Sequence, residues 1–403
     1  MEQLVTLADI VRARKTIQSV IKETGVYNCS KLGRKIQGEV FLKLENLQRT
    51  GSFKLRGACN KIANLSDEEK SNGVIASSAG NHAQGVAYSA TRLGISATIV
   101  MPATAPLSKI QATKDYGAKV VLEGAVYDDA YAKAREIQIE TGATFLHPFD
   151  DREIIAGQGT IMLEIFEKIP DVDVVIVPIG GGGIIAGIAA AAKALNPCIR
   201  VIGVESISAP CMTMAIDKGE SVEISLRSSI ADGIAVRKAG TITLEHVKAF
   251  VDEIITVSES EIAQAMLFLM EKDKIIAEGA GSVSVAAILS GKLELVGKKV
   301  VAIISGGNVD INMMERVLNL ALIAEGRRVD IKVRIFDRPG ELEKIVKLIS
   351  EEKINILQMN QSMYKNDIDI GQQEVNLVLE CFGKEHRDAL FKKLESFGHK
   401  VFK

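Results

Sequence analysis

The chain has 403 residues, 49 Lys plus Arg against 51 Asp plus Glu, and 47% hydrophobic residues with no Trp, the composition of a globular protein with chain enough for about two to four domains or lobes. A net charge of -2 leaves no basic excess to neutralise phosphates, which argues against a nucleic-acid binder. No apolar stretch is long enough to span a bilayer, and Cys29, Cys59, Cys198, Cys211 and Cys381 are odd in number and lack metal-ligand spacing, so a reduced, cytoplasmic protein without a bound metal is expected.

Thr6 with Asp9 marks the capping box of a first amphipathic helix. From residue 40, short β-branched runs alternate with helical patterns: Val40 to Leu44, Gly73 to Ser77, Ala97 to Met101 and Lys119 to Leu122. After a polar break around Pro148 to Arg152 the alternation resumes at Asp173 to Val177, Arg200 to Val204, Ile254 to Val257 and Lys299 to Ile304. This βα alternation predicts parallel sheets. It divides residues 1–325 into a small lobe, about residues 40 to 145, inserted in a larger one. Beyond Gly326 the order becomes strand Asp330 to Phe336, helix Leu342 to Glu352, strands Asn355 to Tyr364 and Glu374 to Cys381, helix His386 to Phe397 and strand His399 to Phe402. That βαββαβ order is ferredoxin-like and predicts a separately folded domain over residues 326–403.

Four segments carry chemistry. Near Thr50 to Ala58, Lys54 follows Gly51, Ser52 and Phe53 and precedes a helix, a place where an amine is partly desolvated and can form a Schiff base with a carbonyl cofactor. In Ile75 to Ala87 a strand runs through Ser78, Ala79, Gly80, Asn81 and His82 into a helix whose N-terminal N–H groups suit a carboxylate. His82 taken alone reads more readily as a packed residue than as a general base. At Gly180, Gly181, Gly182 and Gly183 a strand ends in four consecutive glycines that open a helix at Ile184, an arrangement that lets backbone N–H groups and the helix dipole hold a phosphate. Gly181, Gly183 and Ala186 also satisfy a dinucleotide fingerprint, with Glu205 about 20 residues on, so a nicotinamide-dependent dehydrogenase stands as the alternative. Ser305 closes the last strand before Gly306 and Gly307.

SFKLRGA, SSAGNHAQGVA, PIGGGGIIAG and SGGNVD, in this order, resemble the pyridoxal-phosphate enzymes of the tryptophan-synthase β type, specifically the threonine and serine dehydratases. The resemblance implies a two-lobed α/β catalytic domain and pyridoxal 5'-phosphate bound covalently to Lys54. Phe53 would pack beside the ring, Asn81 would bond its phenolic oxygen, Ser305 would meet its nitrogen, and Gly180 to Gly183 with Ile184 would hold the phosphate. Ser78, Ala79, Gly80 and His82 would hold the substrate carboxylate. The implied reaction is β-elimination of L-threonine to 2-oxobutanoate and ammonia, and of L-serine to pyruvate, within amino-acid metabolism such as isoleucine biosynthesis.

Ala79 stands where the related serine racemases carry an acid–base serine, which favours the dehydratase. Those relatives also hold a divalent ion at positions matching Glu205, Ala209 and Cys211, and Cys211 departs from that pattern, so no divalent site is expected. The C-terminal unit, with DRPGEL and INIL, is similar to ACT domains. It implies pairing between subunits of a homodimer or homotetramer and an amino-acid effector near Asp337, Gly340 and Asn355. A degenerate catalytic lobe serving only as an amino-acid sensor is the non-enzymatic alternative.

Overall fold

The computed structural model describes residues 4–362, 368–399 and 401–402. The chain divides into two compact units, one up to Met313 and one from Met314 onward, with the division falling inside the helix Ile311–Ala324.

The first unit contains two sheets. The larger has six strands in the spatial order Val26–Asn28, Glu39–Leu44, Lys299–Ile304, Val174–Pro178, Arg200–Ser206 and Glu253–Val257. All neighbours are parallel except the first pair. The smaller is parallel throughout, in the order Lys119–Leu122, Ala97–Met101, Val74–Ser77 and Thr144–Phe145. Its central strands are short, β-branched and buried, as parallel sheets covered on both faces require.

One boundary needs correcting. The strand at Val40 to Leu44 does not begin the small lobe: Val40 pairs with Val300 and Leu44 with Ile304 in the large sheet. An apolar run shows that a strand exists but not which sheet receives it. Here the buried Lys43 decides, its ammonium donating to the Thr24 carbonyl at 2.7 Å and pairing with Glu164 of a large-lobe helix.

Local chemistry sets the helix starts. Thr6 and Asp9 form the expected capping box before Leu7–Ile17, and Ser66 with Glu69 and Ser258 with Glu261 do the same for Asp67–Asn72 and Glu259–Phe268. The helices Asn81–Arg92 and Gly183–Leu195 instead begin at glycines with no side-chain cap, leaving their first N–H groups to another partner.

The second unit is a four-stranded antiparallel sheet in the order Asn355–Ser362, Gln372–Glu380, Arg328–Phe336 and Val401–Phe402. Helices Glu341–Glu351 and Lys384–Ser396 complete the βαββαβ order. Alternate residues Val329, Ile331, Val333 and Ile335 enter its core against Ile345, Ile349, Val375 and Leu377. Of the strand expected over residues 355 to 364, Met363 and Tyr364 lie outside the described residues, as does Lys400 of the last strand. All five cysteines are free. Among the described residues no helix is long and apolar enough to cross a membrane.

Candidate active site

Lys54 is the first residue of the helix Lys54–Ala63. The turn before it uses Gly51 at φ +71°, a left-handed conformation that glycine tolerates. Ser52 then bridges to Gly306, and the Phe53 N–H donates to the Ser305 carbonyl at 3.1 Å. Two segments some 250 residues apart are thereby zipped together beside the lysine.

The helix is held closely from two sides. A methyl on Gly85 would lie 3.1 Å from the Leu55 nitrogen, and one on Gly157 would lie 2.7 Å from Gly57 Cα, so small residues permit backbone-to-backbone packing there. Behind it, fully buried Arg56 bonds Glu45 at 2.8 Å and Glu164 at 2.6 Å. Lys43 joins the same cluster, so two buried cations meet two buried carboxylates.

The Lys54 amine donates to the Pro148 carbonyl at 2.8 Å, and the Phe53 ring centre lies 5.3 Å from it. Burial pulls this amine down to about 8, against the opposing attraction of Glu278. A desolvated lysine of this kind is partly unprotonated near neutral pH, the form that attacks a carbonyl.

Strands Val74–Ser77, Val174–Pro178 and Lys299–Ile304 deliver the three remaining segments from their C-terminal ends. After the first, Ser78 Oγ accepts the Gly80 N–H at 3.2 Å. The N–H groups of Asn81, His82 and Ala83 find no backbone acceptor among the described residues. A methyl on Gly80 would meet nothing within 4 Å, so that glycine faces open space. His82 is buried and its Nε2 bonds the Leu146 carbonyl at 2.9 Å. Burial, helped by the charge on Lys54, holds its imidazole at about 3, too weak a base to take a proton near neutral pH.

The glycine loop is shaped by what crowds it. Methyls on Gly181 and Gly183 would strike Phe149 at 2.3 and 2.9 Å, one on Gly180 would lie 2.9 Å from Ile234 Cα, and Gly182 sits at φ +98°. The Gly181 carbonyl accepts from Thr243 Oγ1 at 2.6 Å and from the Gly240 N–H at 3.2 Å, and the Gly180 carbonyl accepts from Cys211 Sγ at 3.4 Å. In a trans peptide the N–H opposes the carbonyl. Engaging those carbonyls from one side turns the Gly181 and Gly182 N–H groups to the other, where no backbone acceptor among the described residues meets them. Ser305 Oγ is buried with one long contact, 3.4 Å to the Ala280 carbonyl.

Glu205 does not serve a ribose. Its carboxylate is buried and accepts the Met212 N–H at 2.8 Å, the Thr213 N–H at 2.9 Å and the Thr213 hydroxyl at 2.6 Å. It is spent on the start of the helix Cys211–Lys218, which removes the acid that the dinucleotide reading required.

The effector candidates do not form one cluster. Asp337 and Gly340 follow the strand that ends at Phe336, opposite Gln372, whereas Asn355 lies opposite Glu380. At about 3.4 Å per residue these points are some 27 Å apart along the sheet.

Sequence reasoning passed over Glu278, Asn308 and Phe149. Glu278 accepts the Asn81 side-chain N–H at 2.7 Å, and Asn308 donates to Asn81 Oδ1 at 2.7 Å. The one sequence signal for Glu278 is an acid standing alone in the small-residue run Ala277 to Ser282.

A family model described as pyridoxal-phosphate dependent enzyme matches residues 17–306. An L-threonine ammonia-lyase of Thermotoga maritima is 48% identical over 398 residues, covering 99% of each chain, so its match extends through the C-terminal unit. Among solved structures, a maize serine racemase superposes with a TM-score of 0.75 at 34% identity, covering 80% of this chain and 100% of its own. The processed form of threonine deaminase isoform 2 from Solanum lycopersicum gives a TM-score of 0.73 at 36% identity, covering 79% of this chain and 96% of its own.

Proposed function

The chain belongs to the pyridoxal-phosphate dependent enzymes, and from that premise we propose that it is an L-threonine ammonia-lyase, converting L-threonine to 2-oxobutanoate and ammonia and L-serine to pyruvate and ammonia. The observation that carries this reading is the half-buried Lys54 amine at the meeting point of three strand ends, two of which open into uncapped helix N-termini.

The residues present fit pyridoxal phosphate. The uncapped glycine loop offers N–H donors to a phosphate, Lys54 offers an amine to an aldehyde, and the buried Ser305 hydroxyl, nearly without a partner, offers a neutral contact to the ring nitrogen. Asn81 would meet the ring hydroxyl and Phe53 the ring edge. When bound, the cofactor supplies a sink for the electron pair left on the substrate's Cα.

The chain's own groups do the rest. The N–H groups of Ala79, Asn81 and His82, which meet no backbone acceptor among the described residues, hold the substrate carboxylate at a helix N-terminus. Lys54 would hold the cofactor, and its Nζ, once free, would take the Cα proton, a task its lowered proton affinity suits. The β-hydroxyl would take that proton back from Lys54 and leave as water, and the enamine so formed tautomerises and hydrolyses to the 2-oxo acid and ammonia. Ala79 has no hydroxyl to reprotonate Cα from the other face, so elimination is favoured over racemisation.

We infer in addition that the C-terminal unit is an ACT-type regulatory domain and that the enzyme is a cytoplasmic homodimer or homotetramer. Asp337 and Gly340 share one loop and suit one effector site, which Asn355, at the far end of the sheet in the same chain, would join only from a second subunit. Initial rates with and without branched-chain amino acids, measured alongside sedimentation velocity, test both statements.

The direct test of the site is borohydride reduction of the yellow holoenzyme followed by peptide mass spectrometry. The cofactor should be fixed on Lys54. Attachment to any other lysine would overturn the assignment.

A further inference from the structure

Glu278 is the N-cap residue of the helix Gly279–Ser290 but makes no side-chain bond to that helix. Its carboxylate turns to Asn81 instead (Nδ2 to Oε1, 2.7 Å). On the other side Asn308 Nδ2 donates to Asn81 Oδ1 at 2.7 Å and to the Thr50 carbonyl at 2.8 Å. An asparagine side chain has two N–H donors and one carbonyl oxygen. With one N–H and the oxygen engaged, a single N–H is left to face a ligand.

The backbone around this chain of contacts is built to admit it. A methyl on Gly306 would lie 2.3 Å from Glu278 Oε1 and 3.2 Å from Asn81 Nδ2, and one on Gly51 would lie 2.2 Å from Asn308 Oδ1. The Glu278 N–H also donates to the Gly306 carbonyl at 3.1 Å, tying the acid to the strand end that carries Ser305. Lys54 and Lys109 attract the carboxylate and Asp232 repels it, and burial first and Asp232 second push its carboxyl up to about 7.

Resting on the placement of Asn81 beside the cofactor, we propose that Glu278 is a positioning residue that, with Asn308, clamps the Asn81 amide at both ends and aims its one free N–H at the cofactor's ring hydroxyl. Ionised, Glu278 accepts firmly and holds the amide in one orientation. Protonated, it is a weaker acceptor and can itself donate, so the amide loses its fixed sense. The ring hydroxyl belongs to the conjugated system that colours the protein, so the bound cofactor's absorption reports on the clamp.

The test compares the holoenzyme with Asn81→Ala, Glu278→Gln, Asn308→Ala and the Asn81→Ala/Glu278→Gln double variant, reading the absorption of bound cofactor between pH 6 and 9, the dissociation constant of re-added pyridoxal phosphate, and kcat. The wild-type spectrum should show an inflection near pH 7 that Glu278→Gln abolishes while kcat falls about 10–100-fold, the usual cost of losing an outer-shell partner. The double variant should match Asn81→Ala alone within about threefold, because both act through one amide. Asn308→Ala, which removes no charge, should displace the same absorption band and keeps the proposal testable should Glu278→Gln fail to fold. A Glu278→Gln enzyme with the wild-type spectrum and pH response, or losses that multiply in the double variant, would overturn the proposal alone. An unchanged cofactor spectrum in Asn81→Ala would overturn the placement of Asn81 and the proposal with it.

Discussion

The side-chain amine of Lys54 donates a 2.8 Å hydrogen bond to the carbonyl oxygen of Pro148. The acceptor sits in the loop after the small sheet's last strand and the donor opens a helix packed against both lobes, so the bond aims the amine without neutralising it. Replacing Lys54 with Ala removes both the covalent attachment and the base. Threonine deamination should fall by at least about 10²–10⁴-fold. Circular dichroism should be unchanged, since the amine's hydrogen bond is to a backbone carbonyl at the site and not to the core.

The same amine sets a pH dependence that cofactor-free protein can reveal. With its affinity for the proton lowered to about 8, the unprotonated fraction is about one-tenth at pH 7 and about nine-tenths at pH 9. Stopped-flow capture of pyridoxal phosphate should accelerate about tenfold across that interval and then level. A rate that keeps climbing beyond pH 10 would indicate an ordinary solvated lysine.

Two glycines should respond in opposite ways to the same substitution. Gly181→Ala drives a methyl into the Phe149 ring and should cost about 1–3 kcal/mol of stability through overpacking, with cofactor retention weakened alongside. Gly80→Ala meets no atom within 4 Å, and its φ of -128° is open to alanine. That variant should melt at or slightly above the wild-type temperature and show its defect as a raised KM for threonine. Thermal melts and steady-state kinetics on the pair separate packing from ligand space.

Arg56→Met should be among the most damaging changes away from the site. It leaves the buried carboxylates of Glu45 and Glu164 sharing the single cation Lys43, and breaking a buried ion cluster by removing one partner costs about 3–5 kcal/mol. Because the arginine is two residues from Lys54 on one helix, partial reduction of the cofactor's visible absorption should accompany the lower Tm.

The four motif segments were legible because each joins a strand to a turn or helix through glycine or small polar residues, and parallel strands present such ends on one edge of a sheet. What completes the site was not. Pro148 and Phe149 act through a carbonyl and a ring in a loop with no motif of its own. Glu278 reads as an acid at a helix start, a common placement on dipole grounds, and only the fold turns it toward Asn81. Lys43 and Arg56 read as solvated charges until the chain buries them together. Strand Val40 to Leu44 was evident as a strand, but its partner lies about 260 residues away, and nothing local specifies it. In the C-terminal unit the ferredoxin-like order was visible in the alternation, whereas the separation of Asn355 from Asp337 follows from strand direction, which alternation does not encode.

Deamination by Lys54 is measured by incubating purified, cofactor-loaded protein with L-threonine and determining 2-oxo acid and ammonia together, with Lys54→Ala as the control. The wild type should give 2-oxobutanoate and ammonia in equal amounts, dependent on bound pyridoxal phosphate, and the variant should lose both products. Undiminished product from Lys54→Ala, or D-allo-threonine or a reduced nicotinamide in place of the 2-oxo acid, would contradict this reading.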